Sequence, residues 1–593
     1  MRTAVRLLIA TCLAGAPLTL VPAAQADHTD PREPLAPTEG AITSGITRGE
    51  GTWEHLANLP GLASPALSGG GTDLEFFTPH KSNDVYGAFG TLGQDEAGSV
   101  GQRILRLTKD GQVEPTWVAD HGSAHCAPAN TSITGLQHDS QVATRGPVSL
   151  LMDTTDASGR CHDPDGGGIE IIDVSGIEDP AFEPREVHLV RFAGFSHTHT
   201  VDTDRPWIVY NSSSDFAGRP WIDVMDTSSC FGKPRATLQE RRDRCRPEVY
   251  RMQFEPEWTQ QRDQDTGELE PGSAACHDIT YADDRLYCAA LNATIIIDVS
   301  GLFDGEQVLG TPLACSVAPG TGTGAMVTDC SGDQAADRLA SGWTFVGGFN
   351  HPGRDCLPKP EDNRTCNTNN HVPADEGVAV SHEADPTHDR GLMFVTDERG
   401  GGIVPPGASC TPGIDNPVGN GGAHALDISD PAAIDYATQP DGSKAVYISD
   451  AVVPAETFCD IHVMELIPDE NRFIAAYYTQ GIKIVDWYVD EEGHVEFVER
   501  ASLTMPNANT WVAEDFEIVD HGDGTRTYYL AADDIHRGID VVSWTGPTHA
   551  AASGPPESTD GGLLLGNVGL LSLGFLLLPA AALYGRRRAA YSQ

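Results

Sequence analysis

The chain has few positive charges and lacks the short motifs of several common enzyme classes. Its 593 residues include 38 Lys and Arg against 85 Asp and Glu, which gives a net charge of −47. A field of that sign disfavours nucleic acid and anionic lipid headgroups as partners. The sequence contains no Cys-x-x-Cys, Gly-x-Ser-x-Gly, His-Glu-x-x-His or phosphate-binding loop. These absences argue against zinc knuckles, thioredoxin-like redox centres, common serine hydrolases, zincins and nucleotide hydrolases.

The N-terminal segment has the order of a secretory signal peptide. Arg2 and Arg6 precede an apolar stretch that ends in small residues at Ala26. This order predicts export with cleavage after Ala26, so that residues 1–26 are removed. A retained membrane anchor is the alternative, but the apolar run is short and is broken by Pro17 and Pro22.

The C-terminal segment predicts a membrane anchor. Residues 563–584 carry no charge and are followed by Arg586, Arg587 and Arg588. About 20 apolar residues suffice to cross a bilayer, and a basic cluster directly after them stays on the cytoplasmic side. A terminal core helix is the alternative. We expect a single-pass type I cell-membrane protein with its main domain outside and residues 585–593 as a cytoplasmic tail.

Composition divides the part of the chain expected outside the cytoplasm into three regions. Residues 27–74 form a leader and N-terminal segment, of which 27–50 are expected to be disordered, and residues 546–562 form a stalk. Between them, residues 75–545 form the main domain. Helical periodicity is scarce there, whereas short β-rich runs separated by Gly, Asp, Asn and Pro recur, which predicts an all-β fold.

Cysteine usage agrees with export. One of the 13 cysteines, Cys12, leaves with the signal peptide, and an even number remains. An oxidising compartment then favours disulfide bonds. Three pairs are close enough in sequence to close single loops, although spacing does not decide the connectivity: Cys276 and Cys288, Cys315 and Cys330, and Cys356 and Cys366.

One strand pattern recurs six times. It consists of apolar residues and an Asp, usually followed by Ser or Gly, and it reads as a strand that runs into a turn closed by the Asp side chain. In the last copy Ser543 stands near the position of the Asp. The copies are GIEIIDVSGIEDP at 168–180, WIDVMDTSS at 221–229, TIIIDVSGL at 294–302, HALDISDP at 424–431, GIKIVDW at 481–487 and GIDVVSW at 538–544.

A second element, containing His or acidic residues, precedes each copy. Its order with the apolar strands predicts a four-stranded blade in each repeat. Six clear units and a degenerate first one at 76–112 predict a single seven-bladed β-propeller. The second elements are His138-Asp139, His197 with His199, His277-Asp278, His382-Glu383, His462, and Glu514-Asp515.

These repeats resemble those of the LVIVD-repeat proteins of bacterial and archaeal cell surfaces. The resemblance is carried by His138-Asp139 with Ile171-Ile172-Asp173, His277-Asp278 with Ile296-Ile297-Asp298, and His462 with Ile484-Val485-Asp486. It covers about residues 75–545 and implies a surface-exposed β-propeller. The family brings no settled activity with it.

If the His-bearing strands are the innermost ones, their side chains converge at the propeller axis. A ring of His138, His199, His277, His382 and His462 would suit Zn, Cu or Fe. Some propeller oxidoreductases, such as carotenoid-cleaving dioxygenases, place a His-ligated metal in this way. Nearby carboxylates could orient the imidazoles from a second shell: Asp139, Asp278, Glu383 and Glu514. The alternative is that each His caps its own strand, which a motif present in nearly every blade favours.

Calcium is a weaker prediction. Asp163-Pro-Asp165-Gly and Asp520-His-Gly-Asp523-Gly resemble calcium loops but lack the full twelve-residue pattern, and turn chemistry explains them.

Two functions follow from the sequence. The first is a surface-anchored binding or scaffolding module for an extracellular protein or glycan. The second is a metal-dependent extracellular oxidoreductase or hydrolase with a His-lined axial site. A purely structural envelope protein is a third possibility.

Overall fold

The computed structural model describes most of the predicted main domain. The described residues are 32, 34–37, 41–61, 70–92, 101–122, 138–155, 168–192, 196–212, 221–233, 236–253, 260–262, 269–271, 276–290, 293–320, 324–332, 339–351, 378, 380–398, 421–449 and 460–549. None of the helices in these ranges is long and apolar enough to span a membrane. The predicted signal peptide and transmembrane segment lie outside the described residues.

The strands form seven blades of four principal strands each, as the repeats predict. A helical turn α1 (Ala41–Ser44) and strands β1 (Ile46–Gly49) and β2 (Thr52–Leu59) come first in sequence. Blade 1 contains β3 (Gly70–Phe77), β4 (Tyr86–Leu92), β5 (Gly101–Lys109) and β6 (Gln112–Gly122). Blade 2 contains β7 (His138–Arg145), β8 (Val148–Thr155), β9 (Gly168–Asp173) and β10 (Arg185–Arg191).

Blades 3 and 4 carry the additional elements. Blade 3 contains β11 (His199–Val201), β12 (Ile208–Ser212), β13 (Trp221–Asp226), helices α2 (Ser228–Phe231) and α3 (Leu238–Arg244), and β14 (Glu248–Gln253). A hairpin of β15 (Gln260–Arg262) and β16 (Leu269–Pro271) follows. Blade 4 begins with β17 (Asp278–Ala282), β18 (Arg285–Ala290) and β19 (Ala293–Asp298).

An insertion separates the third and fourth strands of blade 4. It contains a 3-10 turn (Ser300–Leu302), β20 (Phe303–Asp304), β21 (Gln307–Val308), β22 (Ser316–Pro319) and β23 (Met326–Asp329), and the blade then ends with β24 (Thr344–Asn350). Strand β23 pairs with β10 in parallel, so the insertion extends blade 2 outward.

The last three blades follow the simple pattern. Blade 5 contains β25 (Ser381–Pro386), β26 (Leu392–Asp397), β27 (Ala423–Asp427), and two short strands that both pair with β27, namely β28 (Asp435–Tyr436) and β29 (Val446–Tyr447). Blade 6 contains β30 (Met464–Leu466), β31 (Arg472–Ala476), β32 (Ile482–Val489) and β33 (Val495–Thr504). Blade 7 contains β34 (Thr510–Asp520), β35 (Thr525–Asp534) and β36 (Gly538–Pro547).

The N-terminal segment completes the ring, which differs from the predicted boundary at residue 75. Strand β2 pairs with β36 as the fourth strand of blade 7, and β1 pairs with β33 at the edge of blade 6. The part of residues 27–50 that forms α1 and β1 is therefore ordered, contrary to the predicted leader. Trp53 is buried and packs on Trp544, with ring centroids 6.3 Å apart. Apolar burial and a free sheet edge explain why this segment joins the ring.

The recurring apolar strand is the third strand in six of the blades, β9, β13, β19, β27, β32 and β36. Its Asp closes the following turn as predicted. The Oδ1 atom of Asp173, Asp226, Asp298 or Asp427 accepts a hydrogen bond from the backbone N–H of the Ser two residues later, at 2.8–3.0 Å. In blade 6, Asp486 instead pairs with Arg472 and Arg500.

Three disulfides lie within the described part of the chain. Cys276–Cys288 ties the start of blade 4 to its second strand, and Cys315–Cys330 closes part of the blade 4 insertion, as the spacing allows. Cys230–Cys245 closes the loop that contains α2 and α3. Cys356 and Cys366 lie outside the described residues.

Candidate metal centre on the propeller axis

The first strands of the blades line the axis. Each contacts the first strands of its neighbours, and β3 meets β34 where the ring closes. Since all seven run in the same direction, residues near their starts lie at one end of the channel. His277 immediately precedes β17, His382 is the second residue of β25, and Trp511 is the second residue of β34.

Five aromatic rings from five consecutive blades form an arc at this end. The Nε2 atoms of His197 and His277 are 3.1 Å apart, and their ring centroids are 4.4 Å apart. The centroid of His277 lies 4.4 Å from that of His382, which lies 4.1 Å from that of His462. Trp511 ends the arc, 4.2 Å from His462. Three of the five predicted histidines are therefore brought together, with His197 as a fourth.

A carboxylate faces two of these imidazoles. Glu398, directly after β26, places Oε2 3.8 Å from His382 Nε2 and Oε1 3.7 Å from His462 Nε2. These separations exceed a direct hydrogen bond, so both nitrogens and the carboxylate face a shared space. The ligand atoms of His277, His382 and Glu398 all lie within 4.8 Å of one another. The Tyr478 hydroxyl donates a short hydrogen bond to Glu398 Oε1.

Burial sets the charge of the cluster. It lowers the pKa of both His382 and His462 well below the usual value, and neighbouring imidazoles lower it further. Burial also raises the pKa of Glu398 to about 7, against the hydrogen bond from Tyr478, which lowers it. Both imidazoles are thus neutral near pH 7, the form in which histidine binds metals.

The other two predicted histidines are the first residues of β7 and β11, but each is paired with an acid. His138 Nδ1 is 3.0 Å from Asp153 Oδ1 of the same blade. His199 Nδ1 is 3.1 Å from Asp139 Oδ2 of the preceding blade, and burial lowers the pKa of His199 to about 4. The His138 contact, within one blade, is of the kind expected for the capping alternative, whereas the His199 contact joins two blades. Both histidines are almost fully buried.

The predicted second-shell carboxylates mainly join the blades. Glu514 is partly buried, with a pKa raised well above its usual value by desolvation, and Asp278 accepts a hydrogen bond from the N–H of Ile279. Polar contacts link the first strands of successive blades: Asp73 Oδ2 accepts from Ser140 N (2.9 Å), Asp139 Oδ2 from His199 N (2.7 Å), Asp385 Oδ1 from Thr280 Oγ1 (2.6 Å) and Glu383 Oε2 from Met464 N (2.7 Å). Each blade needs such a contact with its neighbour, which explains why acidic residues recur in the repeat.

Sequence reasoning missed two members of the cluster. The segment GFSHTHTVD contains both His197 and His199, and alternation puts both on one side of an extended chain. Only the position of β11 along the axis assigns His197 to the arc. Glu398 follows the Asp that ends β26, and no motif marks it.

The cluster can bind a cation through nitrogen. The described residues offer four imidazoles and one carboxylate in a largely buried space, a donor set that suits Zn, Cu or Fe. Ligand nitrogens on a common metal lie about 3 to 3.5 Å apart. The 3.1 Å separation of the His197 and His277 Nε2 atoms falls in that range.

Comparisons with known proteins identify no family for this chain. No family model matches the chain, and no curated protein matches it. The β-propeller domain of Myceliophthora thermophila Cps50 (Swd1) aligns at 10% identity and a TM-score of 0.35, covering 82% of this chain and 99% of that one. Saccharomyces cerevisiae Sqt1 aligns at 8% identity and a TM-score of 0.37, covering 80% and 83%. Because both TM-scores are low, we draw no conclusion from these alignments. The seven-bladed architecture follows from the sheet topology.

Proposed function

We propose that this protein is a metal-binding β-propeller whose axial histidines hold a divalent transition metal for extracellular oxidoreductase or hydrolase chemistry. The observation that carries the proposal is the convergence of His197, His277, His382 and His462 with Glu398 at one end of the axis. Nitrogen donors favour Zn, Cu or Fe over Ca, which takes oxygen ligands.

The residues around the cluster give it the features of a catalytic centre. Neutral His382 and His462 can coordinate without first losing a proton. The metal, when bound, supplies Lewis acidity or redox capacity. Burial of His277, His382 and Glu398 limits access of bulk water, which strengthens electrostatic interactions in the site.

Metal content of the purified protein tests this function. The protein should be prepared without a metal-binding tag and analysed by mass spectrometry for Zn, Cu and Fe. About one metal per chain is expected, and His382→Gln should lose most of it. His188→Gln is the matched control, because His188 is also fully buried but bonds Thr328 at the outer side of blade 2. No stoichiometric metal in the wild type, and no binding when Zn, Cu or Fe is added, would refute the proposal.

The location and family are part of the same proposal. The resemblance of the repeats to LVIVD-repeat proteins, the signal-like residues 1–26 and the uncharged residues 563–584 support a surface-anchored type I protein. Truncation before Gly561 should release the propeller into the medium. Retention of the truncated form in the membrane fraction would contradict the anchoring.

A binding or scaffolding role for an extracellular protein or glycan is the second candidate. The end of β24, the start of β25, the end of β26 and the start of β27 lie at the same end of the propeller as the histidines, and long stretches of sequence separate them, whereas only residues 283–284 join β17 to β18 at the opposite end. Recognition residues are often found on such long connections held by a rigid scaffold. A metal-free protein that still captures a defined extracellular partner would favour this candidate.

A further inference from the structure

Tyr478 occupies an unusual backbone position beside the axial cluster. It lies in the turn between β31 and β32 of blade 6, and its φ angle is 40°, in the left-handed region. A bulky residue other than glycine rarely adopts that conformation and incurs an energetic cost there. Its carbonyl accepts hydrogen bonds from the N–H groups of Gly481 and Thr510, both at 3.0 Å. The turn and the first strand of blade 7 therefore hold this conformation in place.

The strained backbone directs the phenol across a blade boundary. The Tyr478 side chain is fully buried, and its hydroxyl donates to Oε1 of Glu398, which belongs to blade 5. Its ring centroid is 5.3 Å from that of His462. One oxygen of Glu398 is thereby fixed beside His462, and the other, Oε2, faces His382.

We infer that Tyr478 is a positioning residue, which acts through Glu398 to set the carboxylate between the two imidazoles and so tunes the metal site. This inference rests on the proposed metal-binding function. Partners that orient a ligand from outside the first shell commonly contribute about 10- to 100-fold to metal affinity. The left-handed backbone at Tyr478 has an energetic cost, and the hydroxyl it carries makes a buried hydrogen bond to Glu398.

The adjacent Tyr477 provides a matched control. It is also fully buried, and its hydroxyl donates to the carbonyl of Gly421 and accepts from the N–H of Ser449. Tyr477→Phe thus removes a buried hydroxyl from the same turn without touching Glu398. The two Phe variants should have comparable losses of thermal stability, so that a difference in metal binding reports the contact with Glu398.

The experiment compares Co(II) binding to the full chain and its variants. Affinity is measured by competition with a chelator, and the visible absorption bands report the coordination environment. Tyr478→Phe should weaken Co(II) binding about 10- to 100-fold and shift the bands, whereas Tyr477→Phe should leave both unchanged. Glu398→Gln should weaken binding too, and the double variant Tyr478→Phe/Glu398→Gln should be no weaker than Glu398→Gln alone.

The outcomes separate this inference from the function on which it rests. If the wild type binds no Co(II), Zn, Cu or Fe, the proposed function itself fails. If the wild type binds Co(II) and Tyr478→Phe matches it in affinity and spectrum, Tyr478 is structural and the inference is overturned. Additive losses in the double variant would show that Tyr478 does not act through Glu398, which also overturns it.

Discussion

Replacing Asp139 with asparagine is expected to change how stability depends on pH. Asp139 is buried between blades 2 and 3 and hydrogen-bonds with Asp73. Desolvation raises the pKa of Asp139 to about 7, and it raises that of Asp73 well above the usual value. The folded state therefore binds a proton that the unfolded chain has released, and ionisation of Asp139 destabilises the fold.

The sign and size of this pH dependence follow from the linkage between proton binding and folding. A carboxyl group with a raised folded-state pKa contributes stability fully below its unfolded pKa and loses it as pH rises through the folded value. For Asp139 that window runs from about pH 4 to about pH 7, and a shift of about 3 units corresponds to about 4 kcal/mol as an upper value. Burial lowers the pKa of His199 to about 4, so this group changes stability with pH in the opposite direction. The pH dependence of wild-type stability alone therefore does not report the ionisation of Asp139.

The difference between variant and wild type isolates the carboxyl group. Urea unfolding should be measured at pH 5 and pH 8 for both proteins. Asparagine keeps an acceptor for the His199 N–H but cannot ionise, so the free energy of unfolding of Asp139→Asn should improve relative to wild type by about 2 to 3 kcal/mol between the two pH values. Asp441→Asn is the control, because Asp441 is exposed and bonds only Ser443. If the difference in free energy of unfolding between Asp139→Asn and wild type is the same at pH 5 and pH 8, the reasoning is refuted.

Three further changes test the packing of the ring. Arg472→Met should lower the free energy of unfolding by about 3 to 5 kcal/mol, because it leaves the buried Glu470 and Asp486 short of a partner. Arg185→Met, which removes the exposed ion pair with Glu183, should cost about 1 kcal/mol or less, and equal costs in urea titrations would contradict the burial argument. Trp53→Ala should cost about 3 to 5 kcal/mol if β2 closes blade 7, against a few tenths for Thr52→Ala, and a neutral Trp53→Ala in thermal unfolding would show that β2 is dispensable. The Cys276→Ser/Cys288→Ser double variant should lose about 2 to 4 kcal/mol, and thiol titration of the unfolded, unreduced wild type should find at most one or two free thiols; six or more would argue against the predicted disulfides.

The repeats made the blades predictable because each carries its own local signal. The apolar strand occurs in six blades, and in four of them its Asp closes the following turn, which needs only neighbouring residues. Strand β2 carries no copy of that signal. Its place in blade 7 depends on pairing with β36, nearly the whole chain away, and such pairing is not visible in a local pattern.

The candidate site was partly predictable for the same reason. His277, His382 and His462 lie near the starts of first strands, where the fold directs them to one end of the axis. His138 and His199 carry the same sequence signal but meet Asp153 and Asp139 instead. The difference lies in the acid that each of these two imidazoles contacts in the folded chain, which composition and spacing do not encode.

The pairing of β2 with β36 also constrains the order of events during synthesis. The strand that completes the ring is made near the beginning of the chain, but its partner, Gly538–Pro547, is made almost last. Strand β2 therefore stays unpaired until nearly all other blades have been synthesised. Any chain that terminates before residue 538 leaves β2 and β35 without their shared partner β36, so incomplete products expose sheet edges that favour aggregation. Blade 7 is therefore complete only when both ends of the domain are present.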